Sequence, residues 1–192
     1  MKAFLAAINA LRPSDSEHVR ALAKPETLTE VENCLPSAWL PIELDVELTD
    51  HVSNVLGAAR AHQFYQRLTL GDYETSAFKS FIDMTVRLIG LSPNTYVKMV
   101  PHGFGLIYRD YGTFRPLERS DNRARLLFSA IPSACVKTPL WLESVRSSFH
   151  TAFELTQTRG QVDWDELDLP GRRAIFAFRW KASLLSGVPP PQ

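Results

Sequence analysis

The order of hydrophobic patterns from Ser76 to Trp180 limits the fold of this chain more than any other feature. An amphipathic helix comes first, then two strand-like runs, a second amphipathic helix and two more strand-like runs. Strands joined by short turns pair antiparallel, and helices with one apolar face can cover one side of the resulting sheet. The expected fold class is α+β: a small antiparallel four-stranded sheet packed against amphipathic helices, with a helical N-terminal half. Such a fold can enclose a ligand.

The clearest helix is predicted over residues 74–89, where Phe78, Phe81, Ile82, Val86 and Ile89 share one face and Lys79, Asp83 and Arg87 the other. A second strong helix is predicted over residues 140–158, with Trp141, Val145, Phe149, Ala152 and Phe153 turned to the core. Between them, Ser92 and Pro93 start a short helix to about residue 100, and beyond Pro101 the period shortens. Residues 104–111 and 113–117, divided by Gly112, read as strand, turn, strand or as one strand with a bulge, and residues 123–131 as a further strand. The closing pair spans residues 161–166 and 173–180 around the turn Asp168-Leu169-Pro170-Gly171. Upstream, short helices are broken by Pro13, Pro25 and Pro36, and a long helix is expected over residues 43–68, weakened at Gly57. The Pro36 to Pro41 stretch contains Trp39 and Leu40, which favour burial over a linker role. Residues 1–183 are therefore expected to form a single domain, followed by a mobile proline-rich tail over 184–192.

Charge and composition exclude several functions. Lysine plus arginine equals aspartate plus glutamate, 21 of each, so no basic footprint for nucleic acid is expected. No stretch approaches the roughly 20 apolar residues of a membrane span. Cys34 and Cys135 lie far apart without motif spacing, as reduced cytosolic thiols would. The expected location is the cytoplasm.

Motif chemistry is sparse. Phosphate-binding glycine loops and G-x-S-x-G are absent, and no spacing suits a zinc or calcium site. His51 and His62 share a helix face but stand about 16 Å apart along it, too far to hold one ion. Asp163, Asp165, Glu166 and Asp168 cluster at the last hairpin, where a solvated turn explains them; Arg119, Arg123 and Arg125 fit an acidic partner or a solvated strand edge. Catalytic and metal-ligating residues are therefore expected to be none, and cofactors none. For contact with a bound cofactor or ligand, the residues to consider are His102 and Tyr108, on the segment after the short helix. All four tryptophans, Trp39, Trp141, Trp164 and Trp180, are expected to pack the core.

Several segments resemble an uncharacterised paralogous family of myxobacterial proteins of about 200 residues. They are Ser37-Ala38-Trp39-Leu40-Pro41, Gly90-Leu91-Ser92-Pro93 with the residues before it, Tyr108-Arg109-Asp110-Tyr111-Gly112, and Gly171 to Trp180. The element order resembles the fold of haem-based nitric-oxide sensors, TRAPP trafficking subunits and 4-vinyl-reductase-type ligand-binding domains. That resemblance implies a domain that encloses a small hydrophobic ligand or pairs with itself through its helices. The reading favoured by the sequence is a non-enzymatic cytosolic protein-interaction or regulatory module that meets a protein partner, a second copy of itself through its helices, or both. The alternative is a sensor domain for a small apolar ligand, and the third reading is an enzyme whose site is assembled from distant residues.

Overall fold

The computed structural model describes residues 1–35, 38–73, 79 and 91–181. The helix predicted over residues 74–89 and the tail over 184–192 lie outside the described residues. The rest builds the expected α+β architecture. Three short helices, α1 (Lys2–Asn9), α2 (Pro13–Leu22) and α3 (Pro25–Asn33), precede the long α4 (Ile42–Tyr73) and then α5 (Pro93–Ile107). Strands β1 (Thr113–Arg119) and β2 (Arg123–Ser129) form the first hairpin. Helices α6 (Ser133–Lys137), α7 (Pro139–Phe149) and α8 (Thr151–Leu155) lead to the second hairpin, β3 (Gly160–Asp168) and β4 (Arg173–Trp180). The sheet order is β1-β2-β4-β3 and every pairing is antiparallel.

Alternation decides which face of the sheet meets the helices. Phe114, Leu126, Phe128, Val162, Phe176 and Phe178 all point to one side and are buried. Phe114 stacks on its cross-strand partner Phe128 with ring centroids 4.1 Å apart, and Phe149 of α7 meets Phe176 edge-on at 5.0 Å. Trp141 and Leu142 of α7 and Ala152 of α8 complete this core, each at most 1% exposed. The opposite face is ionic, with Ile175 and Ala177 buried between its charged side chains and the strand. Arg123 and Arg125 pair with Asp165, Arg179 with Asp163 and Arg173 with Glu166, while Asp168 accepts the Gly171 N–H at 2.9 Å. The carboxylates of the last hairpin are thus held as a charge ladder and a turn.

A second core gathers the N-terminal helices around α4: Phe4, Leu5, Ile8, Val19 and Val31 pack with Leu48, Val52, Leu56 and Phe64. Here Gly57 does more than weaken a helix. Its φ of 71° and ψ of 164° lie in a region open essentially to glycine alone, and they break the α4 axis. The Tyr65 hydroxyl donates to the Thr49 carbonyl at 3.0 Å. Sixteen residues of straight helix would separate those positions by about 24 Å, so the chain folds back at Gly57 and the two segments of α4 lie side by side. Since the single Tyr65 proton goes to Thr49, the 3.0 Å contact with Ser53 is donated by the serine hydroxyl, a second tie across the bend.

Three expectations are corrected. Residues 104–107 are helical: α5 runs through Pro101, and the strand predicted over 104–111 is replaced by the last turn of α5 and a connection. Proline removes one helical hydrogen bond, but Phe104 is held against Phe114 at 4.6 Å and Phe149 at 5.8 Å, so packing carries the helix past the break. The helix predicted over 140–158 is divided into α7 and α8 at His150. Trp39 does not join the core: it is 42% exposed, with the Arg109 guanidinium 4.4 Å above its ring. The other three tryptophans pack as expected.

Candidate functional site

The two segments of α4 face α5 and α7 across a cavity of about 120 Å³. Its walls are mostly apolar, with Phe4, Leu68, Val100, Phe104, Val145 and Phe149 among them. The bend at Gly57 matters for this geometry, because Asp45 and Thr49 come from one segment of α4 and Tyr65 and Leu68 from the other.

One carboxylate stands in this apolar wall. Asp45 lies in the first turn of α4 and is 7% exposed. Its Oδ2 accepts two hydrogen bonds, from Trp141 Nε1 at 2.7 Å and from the Tyr108 hydroxyl at 3.2 Å. Burial raises the Asp45 pKa above the ordinary carboxylate value; the bonds from Trp141 and Tyr108 pull in the opposite direction. The N-terminal end of a helix also favours a negative charge. Both of these donors from described residues meet Oδ2 and neither meets Oδ1. A buried carboxylate with one oxygen committed and the other uncommitted, on the wall of a cavity, is the arrangement expected of a recognition group.

Of the two residues proposed for ligand contact, the structure brings only Tyr108 to the site. It caps the C-terminal end of α5, lines the cavity and donates to Asp45. His102 lies on α5 but is exposed and does not line the cavity, although its neighbours Val100 and Gly103 do. Asp45 is not marked by any motif. Its signal is helical spacing: Leu48, Val52 and Leu56 continue the same face at three-, seven- and eleven-residue steps, so a carboxylate occupies an apolar stripe.

A second polar cluster joins α4, α7 and β3. The His62 and His150 rings meet edge-on at 4.7 Å, His62 Nδ1 lies 2.9 Å from Ser147 Oγ, and His150 Nε2 accepts the Val162 N–H at 3.4 Å. Burial and the neighbouring His62 press the His150 pKa down to about 4. Among the described residues no group of three or more histidine, cysteine, aspartate or glutamate side chains could hold a metal ion. Cys135 is buried and its thiol pKa is pushed up to about 12 by burial, which leaves it a poor nucleophile. No helix among the described residues is long and apolar enough to cross a membrane.

No family model matches the sequence, and no curated protein matches it. The fold, however, is similar to several solved structures. The Fe(II) unliganded H-NOX protein from K. algicida superposes with a TM-score of 0.66 at 10% identity, over 95% of each chain. An oxygen-binding H-NOX domain related to soluble guanylate cyclases gives 0.58 at 9% identity, over 97% of this chain and 96% of that one. A structure solved to probe heme distortion in the H-NOX family gives 0.60 at 10% identity, over 98% of this chain and all of the other. The likeness is one of fold, and it extends over nearly the whole chain.

Proposed function

We propose that this chain is a ligand-binding sensor domain whose ligand is a compact, largely apolar molecule held between α4, α5 and α7. The observation that carries this reading is the apolar cavity with a buried carboxylate in its wall. A cavity of about 120 Å³ is close in size to engineered apolar cavities of about 150 Å³ that accept benzene or xenon. The fold shared with H-NOX sensors supports it, and the alternative reading of the sequence is thereby preferred to a module acting only through protein contacts.

The haem named for those relatives does not fit the residues described here. About 120 Å³ is well below the roughly 300–1,000 Å³ of pockets that hold drug- or cofactor-sized ligands. No histidine or cysteine is among the described lining residues, and His102 is exposed and not among them. The Tyr65 hydroxyl is engaged with Thr49 and Ser53, and burial raises its pKa, so it does not supply a phenolate.

Occupancy can be transmitted by the same elements that form the wall. A ligand touching both segments of α4 alters the balance of contacts across the Gly57 bend, and a ligand can shift a conformational equilibrium only through such a difference. Thermal unfolding of the purified chain with and without toluene tests the reading. Toluene at ten times its dissociation constant stabilises by about 1.4 kcal/mol, a rise of about 3–6 °C for a chain of this size, with chemical-shift changes at the methyl groups of Leu68 and Val145. A melting temperature and methyl spectrum that toluene leaves unchanged overturn it.

A further inference from the structure

We propose that Asp45 is the recognition group of the cavity and that the ligand class it selects is a compact hydrophobic primary amine. The inference rests on the cavity being a ligand site and assigns the chemistry of what enters it.

Much of the polar wall is already engaged within the protein. The Ser144 hydroxyl donates to the Trp141 carbonyl at 2.7 Å, the Thr69 hydroxyl to the Tyr65 carbonyl at 2.8 Å, and the Tyr65 hydroxyl to Thr49. Asp45 differs. Two donors occupy Oδ2, which fixes the plane of the carboxylate, and among the described residues these donors leave Oδ1 its accepting capacity in a wall that is otherwise largely apolar. A carboxylate oxygen that takes no donor in a largely apolar wall is best relieved by a cation carrying N–H bonds.

A primary amine also suits either state of the carboxyl group. If Asp45 is ionised, a protonated amine donates to Oδ1 and the pair carries no net charge. If Asp45 is protonated, the proton resides on Oδ1, because Oδ2 already accepts two hydrogen bonds, and it is donated to the nitrogen lone pair of a neutral amine. In both cases the same N···H···O contact is made. An aliphatic alcohol has no comparable basic lone pair and gains no ion pairing, and a hydrocarbon leaves Oδ1 without a partner. The volume limits the apolar part to about one ring or a short branched chain.

Calorimetric titration of the unaltered chain with toluene, benzyl alcohol and benzylamine at neutral pH tests the assignment, repeated with Asp45→Asn. Benzylamine is expected to bind about ten-fold or more tighter than toluene, with benzyl alcohol between them. Asp45→Asn is expected to abolish that preference while toluene affinity stays within about two-fold. If toluene binds and benzylamine binds no more tightly, the role of Asp45 is overturned while the cavity stands. A preference for benzylamine that survives Asp45→Asn overturns it equally. If none of the three probes binds, the cavity reading itself fails and this one with it. Should Asp45→Asn not fold, the ordering of the three probes on the unaltered chain decides.

Discussion

Replacing Trp141 by phenylalanine removes the shorter of the two hydrogen bonds that hold Asp45 Oδ2, at 2.7 Å, and shrinks a side chain that is 1% exposed. Once Asp45 is ionised, a hydrogen bond to its charged carboxylate contributes about 1.5–3 kcal/mol, and the lost part of the indole adds about 1 kcal/mol, a fraction of what full truncation of a buried tryptophan costs. Trp141→Phe should therefore destabilise by about 2.5–4 kcal/mol, a fall of roughly 5–15 °C in melting temperature. The charge of Asp45 makes the effect depend on pH. Burial raises its folded-state pKa above the ordinary value of 3.8, so the folded protein binds this proton more readily than the unfolded chain. The stability it contributes is greatest below 3.8 and declines as pH rises through the folded pKa. Trp141 opposes that decline, so its loss should cost more at neutral pH than near pH 4. Tyr65 and Cys135 also interact with Asp45, but burial raises both pKa values, and neither changes charge in this window. In the Asp45→Asn background Trp141→Phe loses only a neutral hydrogen bond and packing, about 1.5–2.5 kcal/mol, leaving a coupling of about 1–1.5 kcal/mol. Urea unfolding of the four proteins at several pH values measures it, and effects of His62 and His150 cancel within the cycle. An equal cost of Trp141→Phe in both backgrounds, with no change across pH, would refute the account of Asp45 as a buried charge held by donated hydrogen bonds.

Two further outcomes follow from the bend and from the histidine pair. Gly57→Ala should destabilise by about 1–3 kcal/mol through backbone conformation alone, because a Cβ there meets nothing within 4 Å while φ is 71°. Gly71→Ala, with equally open space and no positive φ, should be neutral or slightly stabilising; matching melting temperatures for the two variants would sink the argument. His150 has its pKa lowered from 6.5 to about 4, so the unfolded chain takes up this proton first and stability is lost as pH falls from 6.5 through 4. His150→Gln, which keeps an acceptor for the Val162 N–H, should flatten that acid limb in denaturant titrations. An unchanged slope would show that the histidine is not the group responsible.

How much of this was legible in the sequence depends on the range over which each feature is decided. The alternation Ala124-Leu126-Phe128 and Ala174-Phe176-Phe178 marks two central strands correctly because their environment is set by a two-residue period and a buried face. The core stripe Trp141, Val145, Phe149 is read as easily at helical spacing. Trp39 was misplaced because burial of an aromatic depends on what is opposite it, and Arg109 covers its ring at the surface instead. Gly57 and Pro101 misled in a different way. Gly57, read as a weak point in a continuous helix, is where the chain turns back, tied by Tyr65 to Thr49; Pro101, read as a helix end, is carried through by Phe104 against Phe114 and Phe149. Both departures shape the cavity. The turn at Gly57 brings Tyr65 and Leu68 back to face Asp45, and the extension of α5 past Pro101 delivers Gly103, Phe104, Ile107 and Tyr108. Segments whose local preference and final structure disagree concentrate where a protein meets something other than itself. By that criterion the space between α4, α5 and α7, rather than the ionic face of the sheet or the histidine pair, is where this fold departs from the most economical way of filling its own core.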